Sequence, residues 1–243
     1  MKKYFFLFAL CLAALFVGLV YSCKKDPSPS PNSDCPSDYG PPTDLGIRAS
    51  FTEEFDSVYK LSTKGWVLKD NTPSSNSSGF GAAWTQGQFG PDKGGVWHGF
   101  TPYSYTNWKD EYVYSYLPSS SPVTVSSWLI TPVLSVKNGD KISFYTRSDT
   151  TGNCIERMQV LMNRSSSENT GNLYSSVCSF STVLMDINAG QTVNGYPTTW
   201  TKYEYTFSGV SGRIDTRVAF RHYVASTSSA KGIGIDLFKF EIN

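Results

Sequence analysis

From Ala49 to the C-terminus the chain is written in short runs of alternating polar and apolar residues. Lys141 to Thr146, Arg157 to Met162, Tyr203 to Phe207, Arg217 to Val224 and Gly234 to Ile242 all follow this rule. Side chains on a strand point alternately to its two faces, so a period of two means a strand with one buried face. Turn chemistry separates the runs, as in Lys137-Asn138-Gly139-Asp140, Asn169-Thr170-Gly171-Asn172 and Ser208-Gly209-Val210-Ser211-Gly212. No window of a dozen residues carries a sustained helical stripe, and no segment repeats at a fixed period. The pattern predicts an all-β antiparallel sandwich of the jelly-roll type over residues 47–243, enough chain for one large core.

The N-terminal part obeys a different rule. Lys2 and Lys3 precede an apolar run from Tyr4 to Val20, which ends in Val20-Tyr21-Ser22-Cys23. A small residue directly before a cysteine at the end of such a run predicts a lipoprotein signal over residues 1–22, with lipidation at Cys23. The run is barely long enough to span a bilayer, so the reading is a chain anchored to a membrane. Residues 23–46 hold six prolines among Ser, Asp and Asn, a composition that cannot bury enough apolar area to order itself, and they read as a linker. The Cys23-Lys24-Lys25-Asp26 start is similar to lipoproteins of the Bacteroidetes. That resemblance implies an outer-membrane protein displayed on the cell surface.

Charge excludes one class of partner. The chain has 21 basic and 20 acidic residues; without Lys2 and Lys3 the balance is 19 against 20, or −1. Nucleic-acid binding requires a basic surface, so no nucleic-acid partner is expected. Of the five cysteines, Cys35, Cys154 and Cys178 remain once Cys11 and Cys23 are set aside. Outside the cell a disulfide is permitted, and Cys154 with Cys178 is the expected pair, two unpaired buried thiols being the alternative.

Two acids sit in apolar company. Phe51, Glu53 and Phe55 share one face of a strand by spacing, and Asp236, Phe238 and Phe240 share a face of the last strand. A buried carboxylate needs a cation or several donors. First and last strands are commonly neighbours in a jelly roll, so Glu53 and Asp236 are expected to meet around a structural calcium ion, with Asp70 as a third ligand. The alternatives are an ion pair with Arg217 or Arg221, or simple exposure.

Aromatic residues make up 15% of the chain, too many for all of them to belong to one core. Trp97, Tyr103, Tyr105 and Trp108 fall in a Gly-, Pro- and Asn-containing stretch that reads as a loop, and flat rings of this kind stack on the CH faces of sugars. Packing of the loop onto the domain is the competing explanation. His98 and His222 are the only histidines, and neither lies in a metal-ligand pair; no Gly-x-Ser-x-Gly elbow occurs.

Several segments together resemble the choice-of-anchor J family and its cleaved-adhesin and MAM-like jelly-roll relatives. They are Phe51-Thr52-Glu53-Glu54-Phe55-Asp56, Gly65-Trp66 with Asp70, Trp84, Trp128-Leu129-Ile130-Thr131-Pro132, Gly139 to Phe144, Trp200, Arg217 to Arg221, and Gly232-Ile233-Gly234-Ile235-Asp236. The resemblance implies a calcium-binding, non-catalytic jelly roll used for adhesion or glycan contact. The leading expectation is thus a surface lipoprotein that binds glycan. A protein-binding adhesion or structural module comes second and a glycan-degrading enzyme third.

Overall fold

The computed structural model describes residues 34–35, 45–73, 84–87, 90–91, 97–104, 112–116, 124–148, 155–225 and 231–243. Among them the strands run in chain order as β1 (Phe51–Glu53), β2 (Val67–Asp70), β3 (Trp84–Gln86), β4 (Gly90–Pro91), β5 (Trp97–His98), β6 (Val113–Tyr116), β7 (Val125–Ile130) and β8 (Leu134–Val136). They continue as β9 (Lys141–Ser148), β10 (Met158–Met162), β11 (Thr182–Ile187), β12 (Thr201–Thr206), β13 (Ile214–Thr216), β14 (Val218–Val224) and β15 (Gly232–Glu241). A 3-10 helix, Val58–Lys64, links β1 to β2 and stops at Gly65, whose positive φ supplies the left-handed cap. Among the described residues no helix is long and apolar enough to cross a membrane.

Two antiparallel sheets face each other, as the alternation predicts. The front sheet has the order β12-β9-β15-β6-β3, with β1 also paired to β15, and the back sheet has the order β11-β10-β14-β7-β2. The first and last strands are neighbours: Phe51 lies opposite Phe240 and Glu53 opposite Phe238. Between the sheets, Phe220 of the back meets Phe144 of the front at 4.9 Å and Phe238 at 5.9 Å between ring centroids. All three rings are fully buried, and each such burial contributes about 1.5 to 3 kcal/mol.

The last strand breaks its own period. Ile233 and Ile235 enter the core, and so do Phe238 and Phe240, which places two residues rather than one between Ile235 and Phe238. The cause is a bulge: Asp236 pairs with Tyr145 and Lys239 with Ser143, so three steps on β15 match two on β9, and Leu237 takes a φ of +48°. Asp236 therefore turns to the outer face, and the expectation that it shares a face with Phe238 and Phe240 is corrected. The same bulge sends Lys239 outward beside it.

The back sheet has a second apolar layer. Trp128, Ile130, Leu161 and Ala219 on its outer side pack with Phe180 from segment 163–181, with Val177 against them. Arg221 lies within this cover, its guanidinium 4.8 Å from the Trp128 ring and 4.0 Å from that of Tyr223, and it donates to Ser126 Oγ at 3.1 Å and Gln159 Oε1 at 3.0 Å. Burial lowers its pKa to about 10. A disulfide fastens the cover, and it joins Cys178 to Cys35 with a Cα–Cα distance of 5.4 Å. The expected Cys154–Cys178 pairing is thus wrong. Cys35 comes from the predicted linker and is held beside the cover, where the Asp34 carboxylate accepts a hydrogen bond from Ser176; Cys154 lies outside the described residues.

Candidate functional site

Strand register lays out the outer face of the front sheet in rows. Lys202, Tyr145 and Asp236 stand side by side, then Glu204, Ser143 and Lys239, and on the other flank Arg147, Gly234 and Tyr114. Residues 99–104 lie across these rows. Phe100 stacks on Tyr112 at 4.8 Å and meets Trp200 edge-on at 5.3 Å, with the Arg147 guanidinium 4.4 Å from its centroid. Gly234 makes this possible, because a Cβ there would stand 2.7 Å from the Phe100 ring and 3.1 Å from Trp200. The Trp200 indole N–H donates to the Thr101 carbonyl at 2.8 Å and fixes the loop from its far side.

Asp236 is the loop's other fastening. Its Oδ2 accepts the backbone N–H groups of Tyr103 at 2.8 Å and Ser104 at 3.0 Å, and its Oδ1 accepts that of Leu237 at 2.7 Å. Burial pushes the carboxyl up to about 7; the three N–H donors pull against this, and the nearby charge of Glu54 adds to it. Ser104 bridges the two acids, since its hydroxyl donates to Glu54 Oε2 while its N–H serves Asp236.

Tyr103 ends the loop as a platform. Its ring lies flat on Tyr145, with centroids 3.6 Å apart and planes 16° from parallel, yet the residue stays 44% exposed. A hydrogen bond with Tyr145, with burial second, raises the Tyr103 hydroxyl's pKa, while the charges of Lys202 and Lys239 act the other way. Of the other rings expected at the site, Trp97 lies in β5 and pairs with Pro91. Tyr105 and Trp108 fall outside the described residues, as does Cys23. Sequence reasoning missed as site residues both Tyr145, an outward position of β9, and Trp200, which directly precedes β12.

The three acids proposed for calcium do not meet. Glu53 points inward, where Lys64 Nζ lies 2.9 Å from Oε2 and the Phe55 N–H 3.2 Å from Oε1. Neither Arg217 nor Arg221 is its partner. Asp236 points to the opposite side of the same sheet, and Asp70 sits on β2 of the back sheet, where it accepts the Thr72 N–H at 3.0 Å. Among the described residues no three His, Cys, Asp or Glu side chains converge as a metal site. Glu54 and Asp236 are instead joined through Ser104, which gives its hydroxyl to the first and its N–H to the second.

A hydrogen-bonded Ser–His–acid chain runs between the sheets. Ser115 Oγ lies 2.8 Å from His222 Nδ1, and His222 Nε2 lies 2.8 Å from Glu156 Oε2. Glu156 Oε1 accepts the Gly232 N–H at 2.7 Å as well as that of Lys231. Burial opposes its ionisation, but His222 and these donors outweigh burial and hold its pKa below the usual carboxylate value. All three side chains are fully buried. A depression lined by Asp56, Val58, Tyr59 and Gln86 is the other concavity of note, but Gln86 is committed there to the backbone of Val58, Phe55 and Tyr112.

No protein-family profile matches the chain, and no curated protein matches it. Among solved structures it is similar to the K1 cleaved adhesin domain of Lys-gingipain from Porphyromonas gingivalis W83, with 20% identity over 80% of this chain and 99% of that one and a TM-score of 0.47. The K2 cleaved adhesin domain of Lys-gingipain gives 18% identity over 80% of this chain and 100% of that one, with a TM-score of 0.48. A xylan-binding domain of Xyn10C from Paenibacillus barcinonensis gives 11% identity over 81% of this chain and 97% of that one, with a TM-score of 0.32.

Proposed function

We propose that this chain is a non-catalytic binding module, carried as a surface lipoprotein on an acyl group at Cys23, whose jelly roll contacts glycan through the outer face of the front sheet. The observation that carries the reading is the Tyr103 ring, held flat and half open on Tyr145 by loop hydrogen bonds to Asp236 and Trp200. A ring fixed in this way gives up little conformational freedom when a sugar stacks on it, so its contact energy goes into affinity. The Ser115–His222–Glu156 chain favours the hydrolytic alternative in composition only. Its serine is fully buried, and a nucleophile must reach its substrate.

A glycan array with a reducing-sugar assay on the full chain tests the reading: binding without sugar release is expected. Tyr103→Ala should weaken binding about fivefold or more, as a stacked ring is worth on the order of 1 kcal/mol, and lower the melting temperature by only about 2 to 4 °C through loss of the stack on Tyr145. Sugar release, or silence across the array, overturns the glycan reading.

A further inference from the structure

Two acids of the front face are already committed, and a third, Glu241, stands opposite Lys141 at the strand end. Glu204 lies between Lys141 at 3.0 Å and Lys202 at 3.1 Å, and Asp236 is taken up by three backbone N–H groups. Lys239 is different. The β15 bulge turns it outward, half-buried and one row from Tyr145, and its ammonium has neither an ion pair nor a hydrogen bond among the described residues. A lysine in that position loses part of its hydration without gaining an acceptor, so an anion that arrives there is favoured. On the other side of the platform Lys202 stands in the row of Tyr145 and shares Glu204 with Lys141, whose own cross-strand neighbour is Glu241. The two cationic groups thus flank a flat aromatic ring, and both Lys202 and Lys239 lie close enough for their charges to act on the Tyr103 hydroxyl.

Resting on the glycan reading above, we propose that the front face takes an acidic sugar, a uronic acid or another carboxylated residue of a polysaccharide, with its ring on Tyr103 and its carboxylate on Lys239. A neutral sugar would stack on the same ring but leave the lysine unanswered, so selectivity resides in Lys239 and general glycan affinity in Tyr103.

Matched polymers separate the two contributions. Dissociation constants of the full chain in detergent would be measured for polygalacturonate and hyaluronan, each native and after chemical reduction of its carboxyl groups to alcohols. At least one native polymer should bind about tenfold more tightly than its reduced form, the scale of one charge-assisted hydrogen bond, and the gap should close in high salt. Lys239→Met should bring native binding down to the reduced level without changing reduced binding or the melting temperature. Tyr103→Ala should weaken both forms. Equal affinity for native and reduced polymers, or a gap that survives in Lys239→Met, overturns the acidic-sugar assignment while the glycan reading stands. No binding of these polymers or of a neutral glycan array overturns both.

Discussion

The two sheets bury similar inner faces but treat their outer faces in opposite ways. Behind the back sheet, segment 163–181 lays Phe180 on Trp128 at 5.7 Å and seals the surface, with a disulfide across the seal. Before the front sheet, residues 99–104 rest on the strands, fastened by hydrogen bonds to Asp236 and Trp200, and Tyr103 stays half open. A sandwich needs one core to be stable. The back of this one is a second core, and its front is left to surface chemistry.

Breaking the back should cost the most. Phe180→Ala is expected to lower unfolding stability by about 3 to 5 kcal/mol, measured by chemical denaturation, because it empties a fully buried site in the second layer. Binding by the molecules that remain folded should be unchanged; a loss of affinity as large as the loss of stability would mean that the two faces are coupled.

The buried chain between the faces gives the next effect. Since Glu156 is held below its ordinary pKa in the folded protein, its contribution to stability is present above the unfolded value of about 4.3 and is lost as pH falls through the folded value. Acid denaturation should therefore flatten in Glu156→Gln, which also carries a constant cost of up to about 3 to 5 kcal/mol at neutral pH for the broken pair. An unchanged acid limb would show that other carboxylates set it.

The smallest effect on stability belongs to the front. Gly234→Ala pushes a methyl group into Phe100 and Trp200, which should cost about 1 to 3 kcal/mol, yet lift the loop and reduce glycan binding more than tenfold. Full binding in this variant would show that the loop does not present the site.

How far the chain disclosed all this varies from strand to strand. In β1 the inward setting of Phe51 and Glu53 follows from alternation alone. In β15 the same rule fails after Ile235, because Leu237 is not a residue that announces a positive φ and the run Asp236 to Phe240 alternates without a visible break. That single bulge moved Asp236 across the sheet and dissolved the expected meeting with Glu53. Lys64, a solvent-side residue by pattern, turned out to neutralise Glu53 from the 3-10 helix, a contact set by tertiary approach and not by spacing. The outer face of the front sheet was legible as an aromatic excess but not as particular rings, since Tyr145 on β9 and Trp200, just before β12, are distant in sequence from the Tyr103 and Phe100 rings they meet.

Under the proposed lipidation at Cys23, the disulfide acquires a mechanical meaning. Between that residue and Ile47, which bridges to Leu134 at the edge of the fold, lie 24 peptide units, a reach of about 80 Å when fully drawn out. Oxidation moves the first fixed point to Cys35, twelve units from the lipid, and cuts the greatest reach to about 40 Å. Under the proposed anchoring, the Cys35–Cys178 bond thus halves the distance the domain could stand from its lipid, and ties it through the back cover rather than beside Tyr103.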